Sequence, residues 1–139
     1  MISFTIPGNP IPLKRHRPSA KGGYYAPSSK DKKQIWLQIA RFRPKKPLEG
    51  NIYLKVIFHF KRPKNHYRTG KYAHLLKDAY RDVNYNKSRP DIDNCLKLLA
   101  DVTQGKNRFI LDDSQICMLQ AEKVYSNNAR TEVIIQEVP

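Results

Sequence analysis

An alternating stretch in the middle of the chain, Asn51 to Lys61 (NIYLKVIFHFK), constrains the fold more than any other segment. Side chains along a β-strand point in turn to opposite faces of a sheet, so this pattern predicts a strand with one buried face. The buried face would carry Ile52, Leu54, Val56 and Phe58, and the more polar face Tyr53, Lys55, Ile57 and His59. We therefore expect a sheet that includes this strand.

Two helices and three further strands accompany this strand. Alternating segments predict strands at Ile2 to Ile6, Ile116 to Tyr125 and Thr131 to Val138. Apolar residues at helical spacing predict a helix from about Lys30 to Arg41, capped by Ser28 or Ser29. The same spacing predicts a second helix from Asp91. The order β-α-β-α-β-β predicts one α+β domain over residues 1–139, with a mixed β-sheet and two main helices.

Positive charge dominates the first two thirds of the chain. Residues 1–60 carry 12 basic and 2 acidic side chains, residues 61–90 carry 9 and 2, and residues 91–139 carry 5 and 8, for a net charge of +14. A hydrophobic fraction of 40% excludes a disordered basic tail, so the charge lies on a folded body. Such a body attracts a polyanion, and nucleic acid is the leading candidate.

Two basic segments are candidates for contact with DNA. One comprises the loop after the first strand and the start of the first helix. The other is residues 62–90, which we expect to be a mobile loop facing DNA, with a short helix at Ala73 to Tyr80 and with tyrosines suited to stacking on unpaired bases. The candidate DNA-binding residues are Lys14, Arg15, Arg17, Lys30, Lys33, Arg62, Lys64, Arg68, Lys71 and Arg89.

Acidic residues in the last third are the anomaly, because carboxylates oppose binding to phosphate unless something neutralises them. A proline biases the residue before it away from the helical region, so we expect the second helix to begin near Asp91. Asp93 and Lys97 would share one face of its first turns. Asp112 and Asp113 follow this helix, and the next strand would bring them to the same end of it. A divalent cation with oxygen ligands, Mg²⁺ above all, would relieve the repulsion among these carboxylates.

These acidic residues form two motifs. The motifs are Arg89-Pro90-Asp91-Ile92-Asp93-Asn94 with Lys97, and Leu111-Asp112-Asp113-Ser114-Gln115-Ile116. Together they resemble the RusA family of Holliday junction resolvases. The two motifs together are a specific signal for that family, whereas either motif alone would be a weak one. The first strand with Pro7-Gly8-Asn9-Pro10, and the strand from Val56 to Phe60, are also similar to that family.

The resemblance implies a homodimeric, Mg²⁺-dependent endonuclease, with Mn²⁺ as an alternative metal. Such an enzyme nicks four-way junctions symmetrically in DNA recombination and repair, and is often encoded by phages or prophages. By motif position, Asp91, Asp93 and Asp113 match the catalytic, metal-binding carboxylates of the family, and Lys97 matches its essential lysine. Asp112 is the neighbouring alternative, and the sequence does not separate it from Asp113. A two-fold symmetric junction needs two equivalent cuts, which a C₂ dimer would supply.

Two other functions remain open on the sequence. In a non-catalytic nucleic-acid-binding module, Asp91 would be only a helix cap and Asp93 with Lys97 only a surface pair. A nuclease that acts on RNA or on other branched DNA would share the site and differ in its loops. A binder loses affinity with salt but needs no divalent ion, whereas a nuclease makes product only with one.

The remaining features argue against several other classes of protein. The N-terminal segment has neither a basic nor an apolar signal region, and no apolar run approaches the ~18 residues of a membrane span, so we expect a cytoplasmic protein without a membrane partner. The four histidines show no metal-ligand spacing, and we expect no small-molecule cofactor. Cys95 and Cys117 are expected to be core thiols.

Overall fold

The computed structural model describes residues 1–14, 17–18, 20, 22–25 and 27–139. Its elements in chain order are β1 (Ile2–Pro7), β2 (Arg17–Pro18), β3 (Tyr24–Tyr25), α1 (Ser29–Ile39), β4 (Asn51–Lys61), α2 (Ile92–Thr103), β5 (Ile116–Ser126) and β6 (Arg130–Val138). The six longer elements confirm the predicted order. The two-residue strands β2 and β3, which pair with each other, were not predicted.

The main sheet has the strand order β1-β6-β4-β5. Strand β6 runs antiparallel to both of its neighbours, so that Val133 lies opposite Phe4 on one side and opposite Val56 on the other. Strands β4 and β5 run parallel and are connected through α2. The sheet is therefore mixed, as predicted. Strands β5 and β6 follow one another in the chain but are not neighbours, because β4 lies beside both.

Both helices contribute to one hydrophobic core with the sheet. The apolar face predicted for β4 is at most 3% exposed at Ile52, Leu54, Val56 and Phe58. From the helices, the core receives Ile35, Ile39, Cys95, Leu98, Leu99 and Val102. Burying an apolar side chain of this size stabilises the fold by about 1.5–3 kcal/mol. The hydrophobic effect thus fixes α2, which carries the first acidic motif, against the sheet.

The start of α1 differs from the prediction in its chemistry. Ser28 is the N-cap residue, as predicted, but its hydroxyl makes no capping bond within the described residues. It accepts instead a hydrogen bond from the backbone N–H of Lys14 at 2.8 Å. The buried Ser28 therefore anchors the basic loop to the helix. None of the helices in the described part of the chain is both long and apolar enough to cross a membrane.

The segment 62–90 is built from short turns. The helix predicted at Ala73 to Tyr80 is wrong, because Tyr67 pairs with Leu76 as an antiparallel bridge and single 3₁₀ turns flank that bridge. Tyr80 stacks on the buried His66, with ring centres 3.9 Å apart. The end of the segment is fastened to β5, where the N–H of Asn86 donates to the carbonyl of Lys123 at 2.9 Å. The mobility of the segment stays a prediction.

Candidate active site

Two of the predicted carboxylates lie at the start of α2. Asp91 is the N-cap residue, with extended backbone, and Asp93 lies in the first turn. The Asp91 carboxylate makes no capping hydrogen bond to α2 in the part of the chain described, so its oxygens are not committed to the helix. Both aspartates line one open depression, together with Tyr85, Asn86, Ile92, Ala121, Glu122 and Lys123. The positive end of the helix dipole favours negative charge at this position.

Lys97 connects this depression to a second one along α2. Its Nζ lies 4.0 Å from Oδ2 of Asp93, one helical turn away, and both side chains are largely exposed. An exposed pair of this kind adds little to stability because water screens it. Lys97 also lines the second depression, with Leu54, Leu96, Ala100, Asp101, Asp113, Ile116 and Leu119. Asp91 and Asp93 thus lie at the start of α2, whereas Asp113 lies beside its second half. The expectation that the next strand brings both acidic pairs to the same end of this helix is wrong.

The turn before β5 gives its two neighbouring aspartates different surroundings. The Asp112 carboxylate accepts hydrogen bonds from the hydroxyl and, at 3.2 Å, from the backbone N–H of Ser114. In return, Oε1 of Gln115 accepts from the N–H of Asp112 at 2.9 Å, which completes a capping box. The hydroxyl of Ser114 lowers the pKa of Asp112, because it donates to the ionised carboxylate. Asp112 is therefore engaged within the turn, while Asp113 lines the depression that contains Lys97.

Two glutamines hold this turn in place. Oε1 of Gln104, just after α2, accepts a hydrogen bond from the N–H of Asp113 at 2.8 Å. Nε2 of Gln115 donates to the carbonyls of Leu48 at 2.9 Å and of Gly50 at 3.0 Å. The structural role of neither glutamine was predicted from the sequence. The spacing of Asp112 and Gln115, typical of a capping box, was the signal available for one of them.

The three predicted metal-binding carboxylates are distributed over the two depressions. Asp91 and Asp93 share the first and Asp113 lies in the second; among the residues described, no group of three or more His, Cys, Asp or Glu side chains is disposed to hold a metal. The donor chemistry suits Mg²⁺, which prefers oxygen ligands and keeps several waters. The oxygen ligands of these residues thus fit Mg²⁺ in chemical type. Asp91 and Asp93 lie together, and Asp113 lies in the neighbouring depression.

Two further carboxylates line these depressions. Glu122 lies in the first, with Asp91 and Asp93, and Asp101 lies in the second. Asp101 lies two turns beyond Asp93 along α2, and its carboxylate pairs with Nζ of Lys32 at 3.1 Å.

The two cysteines differ in exposure. Cys95 is 1% exposed, which confirms it as a core thiol beneath the start of α2. Burial raises its pKa to about 11; the charges of Asp91 and Asp93 act in the same direction, and that of Lys123 opposes them. The prediction that Cys117 is a core thiol is wrong, because its side chain is exposed at the start of β5.

The comparison with protein families matches the model named Endodeoxyribonuclease RusA over residues 7–136. The chain belongs to the RusA family. A protein of Lactococcus phage r1t named crossover junction endodeoxyribonuclease rusA is 35% identical over 101 residues, which cover 73% of this chain and 67% of the phage protein. The uncharacterized protein YqaN of Bacillus subtilis (strain 168) is 30% identical over 143 residues, which cover 99% of this chain and 96% of YqaN.

The basic residues predicted to bind DNA in this RusA protein differ in what they contact. Lys30, Lys33, Lys64 and Arg89 are exposed. Two others form ion pairs. Nζ of Lys14 lies 3.8 Å from Oδ2 of Asp31, and Nη2 of Arg68 lies 3.2 Å from Oδ1 of Asp78. Nζ of Lys71 lies 5.2 Å from the ring centre of Tyr72. Arg15 lies outside the described residues, and so does the side chain of Arg17.

Arg62 has a structural role that the sequence did not predict. Its guanidinium lies over the ring of Tyr125, 5.0 Å from the ring centre, and donates to the carbonyl of Tyr80 at 3.4 Å. It also lies beside His66, whose pKa is lowered by burial and by the charges of Arg62 and Lys77. Arg62 thus helps hold the segment 62–90 against β5.

Proposed function

We propose that this RusA family protein is a Holliday junction resolvase that requires Mg²⁺ or Mn²⁺ and acts in DNA recombination and repair. The observation that carries the proposal concerns Lys97 of α2, which pairs with Asp93 of the first depression and lines the second depression together with Asp113. The family match over residues 7–136 and the phage relative named for crossover junctions support this substrate and a phage or prophage origin.

The proposed roles follow from the surroundings of each residue. Asp91, Asp93 and Asp113 would hold the metal, because their carboxylates line the depressions and are not used in capping. Such an ion supplies charge neutralisation at the phosphate and activates water for in-line attack. Lys97, whose ammonium lies 4.0 Å from Asp93 and which lines the depression of Asp113, would stabilise the charge that develops on the phosphoryl oxygens. Asp112 would hold the turn that presents Asp113.

The proposed substrate also accounts for the basic residues and for a dimer. Exposed cations such as Lys30, Lys33 and Lys64 would neutralise phosphates of the junction arms, and the released counterions favour binding. Since a four-way junction is approximately two-fold symmetric, a homodimer would present two equivalent sites to two equivalent strands. Sedimentation of the protein alone and with junction DNA tests the dimer; a monomer in both conditions would contradict it.

Cleavage of an end-labelled four-way junction, compared with linear duplex of the same sequence, tests the proposed function. Wild type, Asp93→Asn and Glu49→Gln should each be assayed with Mg²⁺, with Mn²⁺ and with EDTA. Glu49→Gln is the matched control, because it removes one exposed carboxylate outside both depressions.

We expect wild type and Glu49→Gln to make paired symmetric nicks only with a divalent ion, and we expect none from Asp93→Asn. Junction binding by Asp93→Asn should be retained or tighter, since a negative charge near phosphate is removed. Tight binding by wild type without product in either metal would contradict the proposal. The chain would then act as a binding module in which Asp91 caps a helix and Asp93 pairs with Lys97. Cleavage of RNA or of other branched DNA in place of the junction would retain the site and change the substrate.

A further inference from the structure

A second basic surface lies beyond the end of α1 and belongs to neither segment predicted to bind DNA. Its members, which we call the Trp36 surface, are Trp36, Arg41, Arg43, Lys45 and Arg108. Arg41, Arg43 and Lys45 line an open depression together with Ala40 and Pro44. Trp36 is half-buried, and its ring meets that of the core residue Phe109 edge to face, with ring centres 6.1 Å apart. The surface therefore rests on the core.

Aromatic rings position the arginines of this surface. Cζ of Arg108 lies 4.1 Å and Cζ of Arg43 lies 6.0 Å from the ring centre of Trp36. Cζ of Arg41 lies 4.7 Å from the ring centre of the exposed Phe42. Contacts of a cation with an aromatic face hold the guanidinium in place without using its N–H donors.

Most of those donors remain free for a ligand. A guanidinium has five N–H donors. In the described residues, Arg43 uses one contact, to the carbonyl of Ala40 at 3.3 Å, and Arg108 uses one, to the carbonyl of Val102 at 2.7 Å. Planar groups with several free donors recognise phosphate oxygens well.

The positive charge of this surface is not compensated locally. Residues 41–46, which include three of its members, contain four basic side chains and no acidic one. Within the described ranges, no ion pair includes Arg41, Arg43, Lys45 or Arg108, whereas Lys14, Lys32 and Arg68 are each paired with an aspartate. An uncompensated group of cations on a rigid support attracts a polyanion.

The surface is connected to the candidate active site through α1. Lys32 pairs with Asp101, which lines the depression of Asp113. Trp36 follows Lys32 by one helical turn, about 6 Å along the axis, on the same side of the helix. A backbone that left the acidic depressions along α1 would therefore pass the Trp36 surface.

We propose that the Trp36 surface binds the sugar-phosphate backbone of one duplex arm of the junction, away from the branch point. This inference rests on the proposed function and adds to it a binding site for the arm. The other explanation is that the arginines only cover Trp36 and cap the end of α2. Arg108 has such a structural contact with Val102, so the test relies on Arg43, which is exposed and lies in the depression.

Three variants separate the two explanations. Arg43→Gln removes the charge, Arg43→Lys keeps it, and Lys55→Gln removes one charge from β4, outside the Trp36 surface. Binding to a long-armed and to a short-armed four-way junction should be measured in EDTA over a range of salt concentrations. Thermal unfolding of each variant, and cleavage of the short-armed junction with Mg²⁺, complete the comparison.

On the long-armed junction, we expect Arg43→Gln to weaken binding about fivefold and to lower the slope of log K against log salt by about one. Arg43→Lys should keep the slope, Lys55→Gln should change affinity less than about twofold, and no variant should change affinity for the short-armed junction. Equal behaviour of Arg43→Gln and Lys55→Gln on long arms would overturn the inference. So would equal loss by Arg43→Gln on both junctions, which would place Arg43 at the branch point.

Trp36 supplies an independent readout because it is the single tryptophan of the chain. Its emission should change on binding of the long-armed junction and not of the short-armed one. An unchanged emission at saturation with long arms would also overturn the inference. Cleavage of short-armed junctions by wild type separates this outcome from failure of the proposed function, which would instead leave every junction uncut.

Discussion

The two acidic motifs are held in place by different forces. The first lies on α2, whose inner face buries Cys95, Leu98 and Val102. The second lies on a single turn before β5, where polar side chains, chiefly those of Gln104 and Gln115, supply the restraint. Hydrophobic burial positions the first motif together with the fold, while the second depends on a few exposed or partly buried hydrogen bonds.

Because of this difference, the stability of the fold and the position of Asp113 should respond to different substitutions. Damage to the support of the first motif should unfold the protein before it affects the site alone. Damage to the support of the second should misplace Asp113 while leaving the core intact. The following variants test that distinction.

Asp113→Asn and Asp112→Asn should have very different effects on cleavage. We expect Asp113→Asn to reduce cleavage to background, a loss of more than about a hundredfold, since residues that merely orient metal ligands already cost 10–100-fold. Asp112→Asn should retain most activity, because the asparagine oxygen can still accept from Ser114. Single-turnover cleavage at saturating protein measures both. The reverse order would assign the catalytic role to Asp112.

Leu98→Ala should act on stability. Leu98 is 1% exposed in the core, and truncation of a buried leucine costs about 2–5 kcal/mol. Urea unfolding followed by circular dichroism measures the loss. The folded fraction should cleave at close to the wild-type rate, and a large loss of cleavage at full folding would mean that burial tunes the site directly.

Gln104→Ala should show the opposite pattern. It removes the acceptor for the N–H of Asp113, so we expect a 10–100-fold loss of cleavage. Because this bond is exposed, unfolding free energy should fall by no more than about 1 kcal/mol. The same urea titration and cleavage assay apply. Wild-type activity in Gln104→Ala would show that the turn holds Asp113 without α2.

Labelling of the two cysteines with a thiol reagent should report separately on the two motifs. We expect this labelling to change neither activity nor stability. Cys117 follows the turn and is exposed, so a thiol reagent should label it in the folded protein at pH 8. Cys95 should remain unlabelled, because burial and a pKa raised to about 11 keep its thiol protonated at that pH. Labelling of Cys95 as fast as Cys117 would mean that α2 opens readily. Cys117→Ser is the control, since it should abolish the fast phase.

The sequence predicted those strands and helices whose apolar residues recur at a regular spacing. Alternation in Asn51–Lys61 and helical spacing after Asp91 identified β4 and α2, since burial of one face leaves a period in the sequence. The different roles of Asp112 and Asp113 were not predictable from charge alone. They depend on Ser114, whose N–H and hydroxyl donate to the Asp112 carboxylate, and on Gln104, whose Oε1 accepts from the N–H of Asp113.

The errors have similar physical causes. Residues 73–80 have helical spacing, but Tyr80 gains a stacking partner in His66 that no local pattern reveals. Cys117 was predicted to be a core thiol, but it is exposed because β5 lies at the edge of the sheet. Lys32 and Asp101 lie far apart in the chain and meet only because α1 and α2 pack together.

Strand β6 follows the other strands in the chain and yet lies inside the sheet, between β1 and β4. During synthesis, β1 and β4 leave the ribosome well before β6. The edges of both strands that pair with β6 therefore stay unpaired until it emerges. Pairings of such long sequence separation form slowly and leave intermediates prone to association. The emergence of Arg130–Val138 is therefore the step that closes the sheet and completes the support beneath α2.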